Sequence, residues 1–223
     1  MTTILFIRHG ETAWNVDKRI QGHLDIPLNA LGHAQALAVR DALAVQPVAA
    51  VCSSPLQRAL DTARPIAEHL GLPVHQIQAL AERHFGLLQG QSFESMREHN
   101  LEAAHAWARR DPHYTPEGGE SLSRFYARVE EAVAALTAVA SALPESSDDA
   151  VVLAFTHGGV LDMVYRMAQG IGLAEPRAWG IPNGGLNRLR LSEGARLELL
   201  DWADVRHLQH LTAGAAPADH RPI

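Results

Sequence analysis

Three short runs of consecutive apolar residues punctuate the chain: Ile4-Leu5-Phe6-Ile7, Val48-Ala49-Ala50-Val51-Cys52 and Val151-Val152-Leu153-Ala154-Phe155. Alternate side chains of a strand point to opposite sides of a sheet, so an unbroken apolar run fits a strand buried on both faces. Each run leads into a polar cluster: Arg8 to Asn15, Ser53-Ser54-Pro55, and Thr156-His157-Gly158-Gly159. After each cluster apolar residues recur at helical spacing. Strands alternating with helices predict an α/β fold, with a mainly parallel sheet covered by helices. In such sheets ligands bind beyond the carboxyl ends of the strands, where the three polar clusters fall.

The helical stretches are predicted over Leu31 to Leu43, Leu56 to Leu70 and Glu120 to Leu143. The second is closed by Gly71 and Pro73, the third by Pro144. The third carries one long stripe, Leu122, Phe125, Tyr126, Val129, Val133, Leu136, Val139 and Leu143, whose aromatics are read as core. Leu186 to Leu191 and Leu197 to Leu200 alternate and predict a terminal antiparallel pair. No internal repeat appears, and the only linker-like stretch, Pro144 to Asp149, is short. The reading is a single domain over residues 1–212, with 91–119 as a less regular, cap-like insertion and 213–223 as a disordered tail.

Composition narrows the function classes. In 223 residues, 47% are hydrophobic, enough for a substantial core, and the formal net charge of −6 argues against nucleic acid as a partner. No apolar run approaches the roughly 18 residues of a membrane span, and no basic flank and apolar stretch of a signal peptide precedes the first strand. No membrane partner and a cytoplasmic location are therefore expected. Cys52 is the only cysteine, which excludes an intrachain disulfide and a Cys-rich zinc site. Lys18, the only lysine, follows no glycine-rich phosphate loop, which argues against P-loop nucleotide chemistry.

Arg8 and His9 stand where the first strand ends, and His157 stands in the same place after the third. Arg58 follows the second strand, near the start of a helix at the same edge. Two arginines and two histidines converging on one sheet edge describe an oxyanion site. A dianionic phosphoryl group fits best, because guanidinium forks match phosphate oxygens.

The stretch Leu5-Phe6-Ile7-Arg8-His9-Gly10-Glu11-Thr12, with Asn15 following, resembles the signature of the histidine phosphatase superfamily, also called phosphoglycerate-mutase-like. Further matches follow in order: Arg19-Ile20-Gln21-Gly22, Asp25-Ile26-Pro27-Leu28 and Gly32, Ser53-Ser54-Pro55 with Arg58, Glu82 with Phe85-Gly86 and Gly90, and His157-Gly158-Gly159. They span more than two thirds of the chain. The resemblance implies a mixed, mainly parallel sheet with helices on both faces.

It also implies roles. His9 is the expected nucleophile, attacking as the neutral imidazole, with Arg8 and Arg58 gripping the phosphoryl oxygens. His157 is expected to be protonated and to donate to the phosphoryl group, aided by the first backbone amides of the following helix, beginning at Gly158. Asn15, Gln21 and Gly22 are expected at the rim, and Glu82 as the acid and base. Arg83 and His84 have no settled role; His84 fits a substrate contact or a supporting position equally.

The other histidines show no metal-ligand spacing, so neither a metal nor a cofactor is expected, and a small phosphorylated substrate is the expected partner. The phosphatase branch of the family is favoured by Gln21-Gly22, Pro116 to Ser121 and His157-Gly158-Gly159, by Phe93 where mutases carry a lysine, and by a short segment between Gly90 and Glu120. Glu82 to Gly90 resembles the cofactor-dependent phosphoglycerate mutases, and Arg109-Arg110 could supply a mutase-like arginine pair. Mutase activity is thus the alternative reading, and a non-catalytic binder of phosphorylated ligands a further one. The sequence leaves open both the substrate and the oligomeric state.

Overall fold

The computed structural model describes residues 2–143, 150–192 and 196–212. Pro144 to Asp149, part of the turn after Ser192 and the expected tail at 213–223 lie outside the described residues. Six strands form one sheet: β1 (Thr2–Arg8), β2 (Val48–Ser53), β3 (Val74–Gln76), β4 (Val151–Thr156), β5 (Leu186–Ser192) and β6 (Arg196–Asp204), in the order β3-β2-β4-β1-β5-β6. The first four in that order are mutually parallel; β5 runs antiparallel to β1, and β6 antiparallel to β5. The sheet is therefore mixed and mainly parallel, as the apolar runs and the terminal alternation predict.

The period of two divides the strand residues between two cores. Ile4, Phe6, Ala50, Cys52, Val152 and Ala154 face one side and pack with α6 (Leu122–Ser141) and α7 (Gly158–Gln169). Leu5, Ile7, Val51, Leu153 and Phe155 face the other and pack with α2 (Ala30–Leu43) and α3 (Gln57–Leu70). Helices thus cover both faces, and Cys52 fills core space. On α6, Phe125, Val129 and Leu136 are fully buried, and truncating Leu136 to alanine should cost about 2–5 kcal/mol.

Local chemistry sets the helix boundaries, from the one-turn α1 (Ala13–Val16) onward, where Thr12 accepts from the Asn15 amide. Asn29 caps α2 by accepting from the Gly32 amide, and Ser121 caps α6 by accepting from Arg124, so this helix starts just after Glu120. Gly71, at φ 65°, closes α3 in the left-handed conformation that a side chain disfavours. Two elements differ from the sequence expectation. The edge strand β3 is only three residues long, too short for a periodic signal. The 91–119 segment is more regular than expected: it contains α4 (Phe93–His99) and α5 (Leu101–Ala108). Their apolar residues Met96 and Ala103 build a separate small cluster with Ile20 and Leu88, with Phe85, Phe93, Trp107 and Tyr114 packed against it. No helix of the described residues is long and apolar enough to cross a membrane.

Candidate active site

Strand register brings the distant residues together. Arg8 pairs with Thr156 across β1 and β4, and the His9 amide donates to the Thr156 carbonyl at 2.9 Å. His9 and His157, each the next residue along, come to lie with ring centroids 5.1 Å apart. On the other side of β4, Ser53 pairs with Phe155, and Ser54 Oγ lies 2.7 Å from His157 Nε2. Arg58 enters from the first turn of α3.

His9 Nδ1 is 2.7 Å from its neighbour's carbonyl, that of Gly10. A carbonyl can only accept, so Nδ1 carries a proton and the neutral ring keeps its lone pair on Nε2. Burial drives the His9 pKa well below 6.5, and the Arg58 and Arg8 charges push the same way. The Gly10 turn is itself fixed. Its amide donates to Thr62 Oγ1 at 2.9 Å, and the Thr62 hydroxyl donates to the Arg58 carbonyl at 2.7 Å.

Arg58 is fully buried, and its guanidinium donates to the Gly22 and Leu24 carbonyls at 2.8 and 3.0 Å. Gly22 is obligatory there: its φ is +53°, and an added Cβ would lie 2.1 Å from Gln89 Oε1. Arg8 donates to the Ile181 carbonyl. The Nε atoms of Arg8 and Arg58 have no hydrogen-bond partner among the described residues. Burial is the main cause that lowers both pKa values to about 10, so both remain cations at neutral pH. A buried guanidinium without a paired carboxylate carries a desolvation cost of several kcal/mol, which a bound anion offsets.

Glu82 is held from two sides. Oε1 accepts from the Arg83 amide at 2.9 Å, and Oε2 from the Gly159 amide at 3.1 Å. Its own carbonyl receives Arg128 Nη2 at 3.0 Å and lies 2.7 Å from His23 Nε2, while Arg128 forms an ion pair with Glu120 at 2.5 Å. At the start of α7 the Gly159 amide thus holds the carboxylate, while Gly158 lines the cavity. Thr12 Oγ1 lies 3.0 and 3.1 Å from the side-chain oxygens of Asn15 and Gln21, which leaves the two amide NH₂ groups available as donors.

A cavity of about 550 Å³ opens over these residues, lined by Arg8, His9, Asn15, Gln21, Gly22, Arg58, Glu82 and Gly158. His157 belongs to the same cluster of rings as His9. It is fully buried beneath the wall, against His9 and Ser54, and does not line the cavity. Burial, followed by the charges of Arg58, His9 and Arg8, holds its pKa well below 6.5, so the protein alone keeps it neutral. A bound anion would raise it. Of the two adjacent arginines, Arg109 is exposed and off the wall, whereas Arg110 lines the cavity with Nη2 2.5 Å from Asp162 Oδ2. Arg83 also lines it, while His84 is turned away, its Nδ1 accepting from the Gly86 amide. Phe93, Trp107 and Tyr114 from the 91–119 segment also line the cavity, and Phe125 serves both core and cavity.

Three further wall residues have no motif in the sequence: Asp162, Arg177 and Asn183. The i,i+4 spacing of Asp162 and Arg166, which form an ion pair on α7, is the one sequence signal that points to any of them. Among the described residues, no three His, Cys, Asp or Glu side chains are grouped so as to hold a metal ion.

Comparison with known proteins adds independent findings. The profile of the histidine phosphatase superfamily, branch 1, matches residues 4–205. Phosphoglycerate mutase-like protein 4 of Arabidopsis thaliana is 35% identical over 92% of this chain and 86% of its own length. A metal-independent phosphoserine phosphatase from the same plant is 35% identical over 93% and 84%. The solved structure of a mycobacterial glucosyl-3-phosphoglycerate phosphatase with VO3 superposes with a TM-score of 0.80 at 31% identity, covering 91% of this chain and 99% of that one.

Proposed function

As the chain belongs to the histidine phosphatase superfamily, we propose that it hydrolyses the phosphomonoester of a small metabolite through a phosphohistidine on His9. The observation that carries this reading is the His9 tautomer. With Nδ1–H held by the Gly10 carbonyl, the Nε2 lone pair belongs to a neutral ring flanked by Arg8 and Arg58.

In the first step the Nε2 lone pair forms the N–P bond while the P–O bond to the alcohol breaks. Glu82, as the carboxylic acid, gives its proton to the departing oxygen. Charge spread over the three equatorial oxygens is met by the two guanidinium groups. In the second step Glu82, now a carboxylate, takes a proton from water as its oxygen attacks phosphorus, and the P–N bond breaks to release phosphate and His9. Asn15 and Gln21 act as donors at the rim, and Gly22 holds Arg58. His157, charged only once the dianion is bound, supports the His9 side of the site. The 91–119 segment serves as the cap, and its aromatic wall selects the alcohol part of the substrate.

Hydrolysis is favoured over isomerisation because Arg110 is tied to Asp162 and Arg109 is exposed off the wall, so these two adjacent arginines do not stand ready together for a second phosphate. A panel of phosphomonoesters ranked by kcat/KM, run on wild type and His9→Ala, tests the reading. Phosphate release from several esters that is lost in His9→Ala supports it; substantial turnover in the variant overturns it.

A further inference from the structure

The cavity wall contains a cation for which the reaction above has no use. Arg177, in the loop between α7 and β5, lines the cavity but forms no hydrogen bond or ion pair with any described residue, and its Nε is buried without a partner. Its neighbours bond to one another, although Asp162 Oδ1 is likewise buried without a partner. Asp162 Oδ2 lies 2.5 Å from Arg110 Nη2 and 3.3 Å from Arg166 Nε, and Arg166 also donates to the Gly172 and Glu175 carbonyls. Arg110 Nε donates to the Leu173 carbonyl at 3.0 Å. One carboxylate thus serves two arginines, and the third is left over.

Arg177 adjoins the Asp162 cluster and is also close enough for its charge to act on Arg8, one arm of the phosphoryl grip. The charges it feels most are those of Asp162, Arg110 and Arg166, with Glu82 behind them and Arg58 absent. A half-buried guanidinium held without a partner costs stability, and a ligand anion removes that cost.

We infer that Arg177 anchors a carboxylate carried by the substrate, so that the preferred substrates of the proposed hydrolase are phosphorylated carboxylic acids. The inference rests on the hydrolase reading. One open guanidinium fork matches the two oxygens of one carboxylate, whereas a second phosphate dianion would draw on a cluster of open donors that Arg110 and Arg166 do not supply.

The test uses two matched pairs of esters. O-Phosphoserine and O-phosphoethanolamine differ only in a carboxylate; 3-phosphoglycerate and glycerol 3-phosphate differ only in carboxylate against hydroxymethyl. Wild-type kcat/KM is expected to favour the carboxylated member of both pairs by about 10-fold or more, as for a charge-assisted hydrogen-bonded pair. In Arg177→Gln the preference should collapse toward unity through a rise in KM for the carboxylated ester, and Arg177→Lys should restore part of it. A wild-type ratio near one overturns the carboxylate anchor while leaving the hydrolase standing, provided that turnover is robust. So does an unchanged ratio in Arg177→Gln, or an equal loss on both members, which would make Arg177 a phosphoryl ligand. A larger gain from a second phosphate than from a carboxylate, measured with fructose 1,6-bisphosphate against fructose 6-phosphate, also overturns it. Failure of all esters to turn over would count against the hydrolase reading itself.

Discussion

The Gly159 amide donates to Glu82 Oε2 at 3.1 Å, and a Cβ added at residue 159 would stand 2.1 Å from Glu82 Oε1. Both the position of the carboxylate and the absence of a side chain at the start of α7 therefore belong to one arrangement. A methyl group there must displace the carboxylate, because the end of the Glu82 side chain is the group it meets first.

Gly159→Ala should accordingly mimic loss of Glu82. For an alkyl phosphate we expect both Gly159→Ala and Glu82→Gln to lower kcat by about 10²–10⁴, the range for general acid–base catalysis. For p-nitrophenyl phosphate, whose leaving group departs without a proton, the phosphorylation step should fall much less. Wild-type rates for Gly159→Ala on both esters would show that Glu82 works from another position.

The buried histidines should make the fold acid-sensitive in a defined window. His9 and His157 are held well below 6.5, chiefly by burial, while the unfolded chain protonates them near that value. As the pH falls below about 6.5 the unfolded state takes up protons that the native state refuses, so stability falls, by up to ~1.4 kcal/mol per pH unit for each such histidine. Urea midpoints measured between pH 7.5 and 5 should decline, and His9→Gln should flatten the decline. A midpoint independent of pH in that window would contradict the buried, neutral state of these rings.

The parts of the fold that follow from repetition were legible in the sequence. The runs Ile4–Ile7, Val48–Cys52 and Val151–Phe155 are buried strands because both faces of the sheet are covered, and their shortness and polar flanks set them apart from buried helices. The three-residue β3 and the two short helices of 91–119 lack that repetition; the helices close over a satellite cluster, so their pattern never spans enough turns to register. Within the site, Arg8, His9 and Arg58 were readable as residues at strand and helix ends. What holds them was not: the Gly22 and Leu24 carbonyls under Arg58, and the Gly159 amide on Glu82, are backbone contacts between segments far apart in the chain. His157 was legible as a strand-end residue, but its burial depends on Ser54 and His9 packing around it. Arg177 sits in an irregular loop, where only the fold reveals that it meets the cavity.

Activity should not depend on a divalent ion. Arg8 and Arg58 meet the phosphoryl charge, and the described residues offer no carboxylate–histidine group for a metal. Dialysis against a strong chelator should leave kcat unchanged; activity lost and then restored by one added divalent ion would show that the arginines do not suffice.

Given 3-phosphoglycerate with catalytic 2,3-bisphosphoglycerate, the protein should release inorganic phosphate and form little 2-phosphoglycerate. The reason is that Arg110 is tied to Asp162 and Arg109 lies off the wall, so the adjacent arginines do not form a clamp for a second phosphate. Isomerisation faster than phosphate release by about 10-fold or more would assign Arg110 that clamp, since the mutase cycle requires a retained bisphosphate.

The central claim is the covalent intermediate. A ³²P-labelled monoester mixed with the enzyme and quenched in alkali within the first turnovers should leave label on the protein that is stable to base, released by acid, and located by peptide mapping on the segment containing His9. His9→Ala should carry none, and chasing with unlabelled substrate should discharge the wild-type label at a rate no slower than kcat. Label absent from wild type under conditions where phosphorylation outpaces hydrolysis, or present on a residue other than His9, would contradict the account.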